Sequence, residues 1–223
     1  MLILALDTTG RVASAALCRD GEITAVCRRD SQMDHSRTIL PVCRDMMRGA
    51  GVGFGDIDIF AAVCGPGSYT GIRIGVAAVK GFAFGQDKPC AAVSTLEAAA
   101  WADTESTGEK LAVVQARPQE YFAARFYWDG VAMARLTPDG VLSEGELLAL
   151  LEENRALRLC GDGAGELPRD KRLHLPPAVQ DAASAARCAY AKALAGQTVS
   201  CHELTPSYLR PTQAERMRQQ KKA

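Results

Sequence analysis

Gly65-Pro66-Gly67-Ser68-Tyr69-Thr70-Gly71-Ile72-Arg73-Ile74-Gly75 follows the apolar run Ile57-Asp58-Ile59-Phe60-Ala61-Ala62-Val63-Cys64 and opens a long apolar segment that ends near Gly85. The order reads strand, tight glycine turn, helix, the basic unit of an α/β fold. Pro66 fixes one φ angle while the flanking glycines permit positive φ, so the turn is sharp and pre-shaped. Ser68 and Thr70 are natural N-cap residues, and backbone N–H groups at a helix start attract anions. On these residues alone two roles stay open. Gly65, Gly67, Ser68 and Thr70 either hold a phosphate themselves or shape the helix behind them.

The helix predicted over 71–85 carries only two charges, Arg73 and Lys80, seven residues apart and hence on one stripe. Ile72, Ile74, Val76, Val79, Phe82 and Phe84 cover most of the remaining circumference. A helix that is apolar nearly all round is buried on more than one side. Gly71, Gly75, Ala78 and Gly81 are small enough for another helix to approach closely. One face can pack on the sheet; the other needs a second layer or another protein. A helix predicted over 36–50 is the neighbour, with Ile39, Cys43, Met46, Met47 and Ala50 on one face. Apolar, Met-rich surface is typical of binding faces. The interface candidates are therefore Ile39, Cys43, Met46 and Met47, with Gly71, Ile72, Ile74, Gly75, Val76, Ala78, Val79 and Phe82.

Outward from these helices the pattern is α/β, used twice. Strands are expected at 1–7, 12–18 and 22–29, the last two joined by a hairpin at Asp20-Gly21. Pro41 starts or kinks the first helix. Strand 57–64, helix 71–85, strand 90–93 and helix 94–103 complete a first lobe, 1–103, and the polar segment 104–110 reads as a hinge. A smaller second lobe, 111–223, has strands near 111–117, 120–128 and 131–136, a helix at 143–153, a strand at 157–160 and an Ala-rich helix at 181–195. The polar tail from Glu215 frays or packs back on the first lobe.

The 223 residues carry 26 Lys+Arg and 26 Asp+Glu, ten of each sign in 1–100 and sixteen beyond, so no basic excess drives autonomous nucleic-acid binding. The run Leu2–Leu6 ends at Asp7, too short for a signal h-region or a membrane span. Eight cysteines without a CxxC pair read as free core thiols of a cytoplasmic protein. His35, His174 and His202 are too scattered for a helical metal pair, and no metal site is expected. Asp7, followed by Thr8-Thr9-Gly10, is placed to hold a metal-bound water beside a nucleotide phosphate. The competing reading is a turn in which Asp7, Thr8 and Thr9 bond local backbone. Gly161-Asp162-Gly163-Ala164-Gly165 follows the strand at 157–160, but Glu166-Leu167-Pro168-Arg169-Asp170-Lys171-Arg172 is no apolar helix, so a plain turn is favoured. A GxxxxGK[ST] phosphate loop is absent.

Met1–Ser14, His35-Ser36 with Ile39-Leu40-Pro41, Gly65–Gly75, Val93-Ser94-Thr95-Leu96 and Pro206-Ser207-Tyr208-Leu209-Arg210 together resemble the TsaB family, also called YeaZ. The resemblance spans nearly all of the first lobe, with weaker echoes from 111 to 210. It implies a two-lobed actin/hexokinase/Hsp70-like (ASKHA) fold with a degenerate second lobe. It further implies a non-catalytic partner of a TsaD-like transferase, which makes threonylcarbamoyladenosine next to the anticodon of tRNA. TsaD's metal-binding histidine pair has no counterpart here. The helix after the glycine turn is then expected to meet TsaD in a helical bundle, with a TsaE-like ATPase as further partner and tRNA reached through the complex. A homodimer is expected when the chain is alone. No cofactor is expected on the isolated chain; ATP or ADP at the partner interface is the candidate. One departure stands out: the family's usual Asp-Ala-Arg is Gln115-Ala116-Arg117 here, which removes a carboxylate. The alternative is an ATP-dependent kinase or ATPase of the same superfamily using Asp7 and the two glycine turns. The basic tail residues Arg216, Arg218, Lys221 and Lys222 read as a solvated end rather than a tRNA contact.

Overall fold

A computed structural model describes residues 1–30, 34–167 and 179–209. His174, the segment at Pro168–Arg172, Arg210 and the basic tail lie outside the described residues. The first sheet contains β1 (Leu2–Asp7), β2 (Val12–Arg19), β3 (Glu22–Asp30), β4 (Ile59–Val63) and β5 (Cys90–Val93), in the order β3-β2-β1-β4-β5. β1, β2 and β3 are antiparallel neighbours, whereas β4 and β5 run parallel to β1. The hairpin at Asp20-Gly21 forms as expected, with φ of 53° and 92° at the two turn residues. That pair of positive angles matches the twist of the flanking strands.

β1 is buried at every position because the sheet is covered on both faces. Leu2, Leu4 and Leu6 point toward α1 (His35–Gly49) and α2 (Tyr69–Gln86), while Ile3 and Ala5 point toward α5 (Ala182–Leu194). α1 matches the helix expected over 36–50; of the two alternatives at Pro41, it does not start there, and the proline lies inside the helix.

The second sheet has β6 (Gly108–Arg117), β7 (Glu120–Trp128), β8 (Met133–Arg135), β9 (Gly140–Ser143) and β10 (Arg158–Cys160). Its order is β10-β6-β7-β8, with β9 also paired to β7. β6, β7 and β8 repeat the antiparallel start of the first sheet, and β10 repeats β4 by running parallel to β6. The second sheet thus has one parallel strand where the first has two. This is the two-lobed α/β class expected from the sequence, with a reduced second half. β9, ahead of α4 (Glu144–Glu153), was not anticipated; its four residues are too few to show a period.

Two helices sit on the sheet opposite to the one their place in sequence suggests. α3 (Thr95–Trp101) follows β5 yet packs Leu96, Ala99 and Ala100 onto Ala112, Val114 and Phe126 of the second sheet. α5 follows the second sheet yet lays its alanines on Ala5, Ala16, Ala61 and Ala91 of the first. Small residues on both partners let this Ala-rich helix lie close to the strands. The last residues of the polar segment 104–110, from Gly108 on, belong to β6. Within it Lys110 is completely buried, 3.0 Å from Asp103, and it donates to the Ser106 carbonyl at 2.8 Å.

α2 starts against the end of β1. Thr8 Oγ1 donates to the Gly71 carbonyl at 2.6 Å, and a Cβ on Gly71 would overlap the Thr8 carbonyl oxygen. Gly81, ten residues further on, has open space around it. Gly71→Ala should therefore cost about 3 kcal/mol by overpacking. Gly81→Ala should stabilise by roughly 0.5–1 kcal/mol through helix propensity. Urea unfolding of the two variants checks the pair; equal effects would contradict this packing.

Candidate functional site

The glycine turn leaves β4 through Gly65, whose φ of 112° favours glycine. A Cβ there would also overlap the carbonyl oxygen of Ser207. Ser68 caps α2 by accepting from Gly71 N at 3.2 Å. Ser68 N donates to the Thr9 carbonyl at 2.9 Å, and Ile72 N to the Ser68 carbonyl at 2.9 Å. Several N–H groups that would cradle a phosphate are thus already used by the turn itself. Thr70 faces solvent. The arrangement shapes and launches a helix.

The turn also forms one wall of a cleft between the sheets. Two adjoining cavities of about 300 and 360 Å³ share Gly67, Ser68, Ala116 and Phe122. Tyr69, Arg117 and Tyr208 extend the first; Thr9, Gly10, Gln115, Asp162 and Glu166 extend the second. Asp7 lies buried behind Thr9, whose N–H and hydroxyl donate to its Oδ1 at 2.8 and 2.7 Å. Of the turn bonding read from Asp7-Thr8-Thr9, the Thr9-to-Asp7 bonds are local, whereas Thr8 bonds the distant Gly71. Burial lifts the Asp7 carboxyl from 3.8 to about 6, against the two Thr9 bonds and with help from the charges of Asp162 and Asp181.

Asp162 is the cleft residue that spacing undervalued. Gly161-Asp162-Gly163-Ala164-Gly165 forms a 3-10 turn over Asp162–Glu166 after β10 and brings Asp162 beside Gly10. Gly163 packs against the backbone of Val114 and Gln115 at the end of β6. Burial pushes the Asp162 carboxyl up as well. The missed signal was the repeat itself: β10 stands to β6 as β4 stands to β1, so the turns after β4 and β10 converge. Gln115, near the β6 end, lines the same cavity as Asp162 with an uncharged amide.

The expected interface residues separate into two groups. Ile39, Cys43, Met46 and Met47 of α1, with Gly71, Ile72, Gly75, Val76 and Val79 of α2, are buried in this chain's own core. Periodicity identified them as apolar but could not say which layer covers them. Ile74, Ala78 and Phe82 are half-buried; Phe82 joins Phe54 and Phe60 in an aromatic cluster. Ala77, Gly81 and Phe84 face outward, Phe84 at 69% exposure, and Leu40 of α1 is 50% exposed. The charged stripe is also covered in part. Arg73 Nε donates to Tyr208 Oη at 2.7 Å, and Lys80 Nζ to the Leu204 carbonyl at 3.0 Å. His35 is buried at the start of α1, and His202 meets Phe84 edge-on. All eight cysteines are free, and burial raises Cys43, Cys64 and Cys160 to about 12. No helix among the described residues is long and apolar enough to cross a membrane.

The buried Asp7 predicts a pH signature. Its pKa is raised on folding, so the native state binds the extra proton between about pH 4 and 6. Stability from this group falls as pH rises through that window. Asp7→Asn keeps an acceptor for Thr9 without the buried charge. Relative to wild type it should gain up to about 3 kcal/mol between pH 4 and 7. Urea midpoints across that range check this; a constant difference would contradict the assignment.

Residues 26–210 match the family model described as TsaD: tRNA N6-adenosine threonylcarbamoyltransferase. The chain is 32% identical to the Escherichia coli (strain K12) tRNA threonylcarbamoyladenosine biosynthesis protein TsaB, covering 94% of this chain and 95% of that one. It is 29% identical to the Haemophilus influenzae protein of the same name, covering 94% of each. The solved structure of YeaZ from Pseudomonas aeruginosa superimposes with a TM-score of 0.75 at 25% identity, over 93% of this chain and 99% of that chain. Matched along nearly its whole length in sequence and in fold, the chain belongs to the TsaB (YeaZ) family.

Proposed function

We propose that this chain is a non-catalytic, cytoplasmic subunit of the machinery that forms threonylcarbamoyladenosine next to the anticodon of tRNA. It binds and supports a TsaD-like transferase through the outer face of α2 together with the exposed edge of α1. The observation that carries this reading is the outward stripe Ala77, Gly81 and Phe84, edged by the half-buried Ile74 and Ala78. It persists after the sheet, α1 and the segment beyond α5 have covered the other sides of α2. Small residues flanked by larger apolar ones admit a partner helix closely. The self-capped turn supports a scaffolding role, as does a polar but uncharged Gln115 in the cleft. The balanced charge favours tRNA contact through the complex rather than by this chain alone. A TsaE-like ATPase completes the assembly, and ATP or ADP sits, if anywhere on this chain, at the partner interface. Without its partner the same face forms a homodimer.

A second reading draws on the convergence of Asp7 and Asp162 at one cleft: an ATP-dependent kinase or ATPase. Calorimetry with Mg-ATP separates the two. Micromolar binding by the isolated chain, lost in Asp7→Ala, would favour the enzyme.

Burial also decides how docking is tested. Val76 is 3% exposed, so a charge there would damage the fold and report nothing about a partner. Ala77→Glu places the charge outward. It should weaken association with the TsaD-like partner roughly a hundredfold, about 2.7 kcal/mol, with the melting temperature little changed. Biosensor titration with thermal melting measures both; undiminished binding would rule out this face.

A further inference from the structure

Beyond α5 the chain returns along α2 to the second sheet. Val199 and Cys90 exchange backbone hydrogen bonds of 2.9 and 2.8 Å at the edge of β5. Lys80 Nζ then grips the carbonyls of His202 and Leu204 at 3.3 and 3.0 Å, and Leu204 is buried in the core beneath α2. Ser207 N donates to the Cys64 carbonyl at 2.7 Å, while the Ser207 carbonyl fills the space left by Gly65. Tyr208 accepts the Arg73 hydrogen bond and stacks on Tyr69 at 4.8 Å; the Arg73 guanidinium lies 5.5 Å from its ring centre. Leu209 packs on the second sheet's core beside Ala116. Residues 199–209 therefore touch the edge of the first sheet, α2, the glycine turn and the second sheet in succession. Ser207, Tyr208 and Leu209 also line the 300 Å³ cavity of the cleft.

We propose that residues 199–209 are a tie between the lobes that couples the cleft to the outer face of α2, with Tyr208 as its positioning residue. Its consequence for partner binding rests on the docking role given to α2 above. The geometry is direct: Arg73 neighbours Ile74 and lies one turn from Ala77, so the side chain that holds Tyr208 belongs to the turn that begins the docking stripe. Tyr208 faces the cleft with the same ring. A displacement of Tyr208 by anything entering the cleft pulls on Arg73, and a shift of α2 on partner binding pulls on Tyr208. The coupling is reciprocal. The clasp includes a hydrogen bond, a ring stack and a cation–ring contact, and Tyr208 is 38% exposed. Interactions of that kind hold one pose yet open without unfolding the core.

Hydrogen exchange by mass spectrometry on the full chain, with biosensor titration of the TsaD-like partner, tests the tie. Tyr208→Ala should speed exchange both in 69–76 and in 114–122, and should weaken the partner about tenfold although no outward α2 residue is altered. Tyr208→Phe keeps the stack and should fall between; with Arg73→Lys it provides the same readings if Tyr208→Ala does not fold. Faster exchange confined to 205–209 overturns the tie. Where Ala77→Glu weakens the partner, unchanged affinity in Tyr208→Ala overturns it too. Where Ala77→Glu has no effect, the docking reading is what fails, and exchange in 69–76 and 114–122 alone decides the tie.

Discussion

The structure depends on the contact between Thr8 at the end of β1 and Gly71 at the start of α2. The Thr8 hydroxyl bonds the Gly71 carbonyl, and the Thr8 carbonyl occupies the space where any larger residue at 71 would project. Gly75 repeats the approach one turn later, where a side chain would meet Thr8 Oγ1. Two successive glycines on one face bring helix backbone onto strand end without an intervening side-chain layer. The axis of α2 is thereby fixed relative to β1, and with it the position of the glycine turn, one wall of the cleft and the stripe that faces outward. A helix that could rotate about its axis would bury Ala77 and Phe84 as readily as Ile72 and Val79. The glycine seat removes that freedom.

Around this seat the two lobes are fastened by exchange. α3 leaves the first sheet to pack on the second, and α5 leaves the second to pack on the first. Where they meet, Glu97 of α3 accepts from Lys192 of α5 at 2.8 Å and from Arg135 of β8 at 3.2 Å. Burial opposes ionisation of Glu97, yet Lys192, the Ser94 N–H and Arg135 hold it below the usual carboxylate range. A half-buried carboxylate so surrounded stabilises one arrangement of three elements rather than adding much net energy. The segment 199–209 makes the corresponding fastening on the cleft side, with neutral and aromatic contacts in place of ion pairs. The charged fastening is half-buried around Glu97 and Lys192, and Tyr208 of the aromatic one is exposed.

The cleft combines two carboxylates raised by burial, Asp7 and Asp162, with a helix start whose N–H groups are partly self-satisfied. Of the charged residues at the cleft, Arg117 lines one cavity and Asp162 and Glu166 line the other. The outward stripe of α2 has the opposite character: small, apolar and unencumbered by charge. These two surfaces meet on one helix, whose first turn lines the cleft while its outward face carries the stripe.

Element type was legible in the residues wherever one period dominated. Strict apolar runs bounded by turn signals marked β1, β4 and β7, and the Asp20-Gly21 turn could be placed because only certain residues accept positive φ at both positions. The glycine motif identified a strand–turn–helix unit for the same reason: backbone sterics act locally. The layer that covers each apolar residue was not legible. Met46, Met47, Val76 and Val79 looked like interface and are core, because apolarity records exclusion from water and not the identity of the excluding surface. Asp162 looked like part of a plain turn, because its cleft neighbour Gly10 is distant in sequence. Arg73 and Lys80 could be placed on one stripe, but not the residues more than a hundred positions away that lie along it. By itself the sequence determined the α/β repeat, the glycine turn and the helix it starts, since each follows from steric and hydrogen-bonding preferences within a few residues. Only the tertiary structure decided which side of that helix stays bare, because that depends on which distant segments bury its other sides.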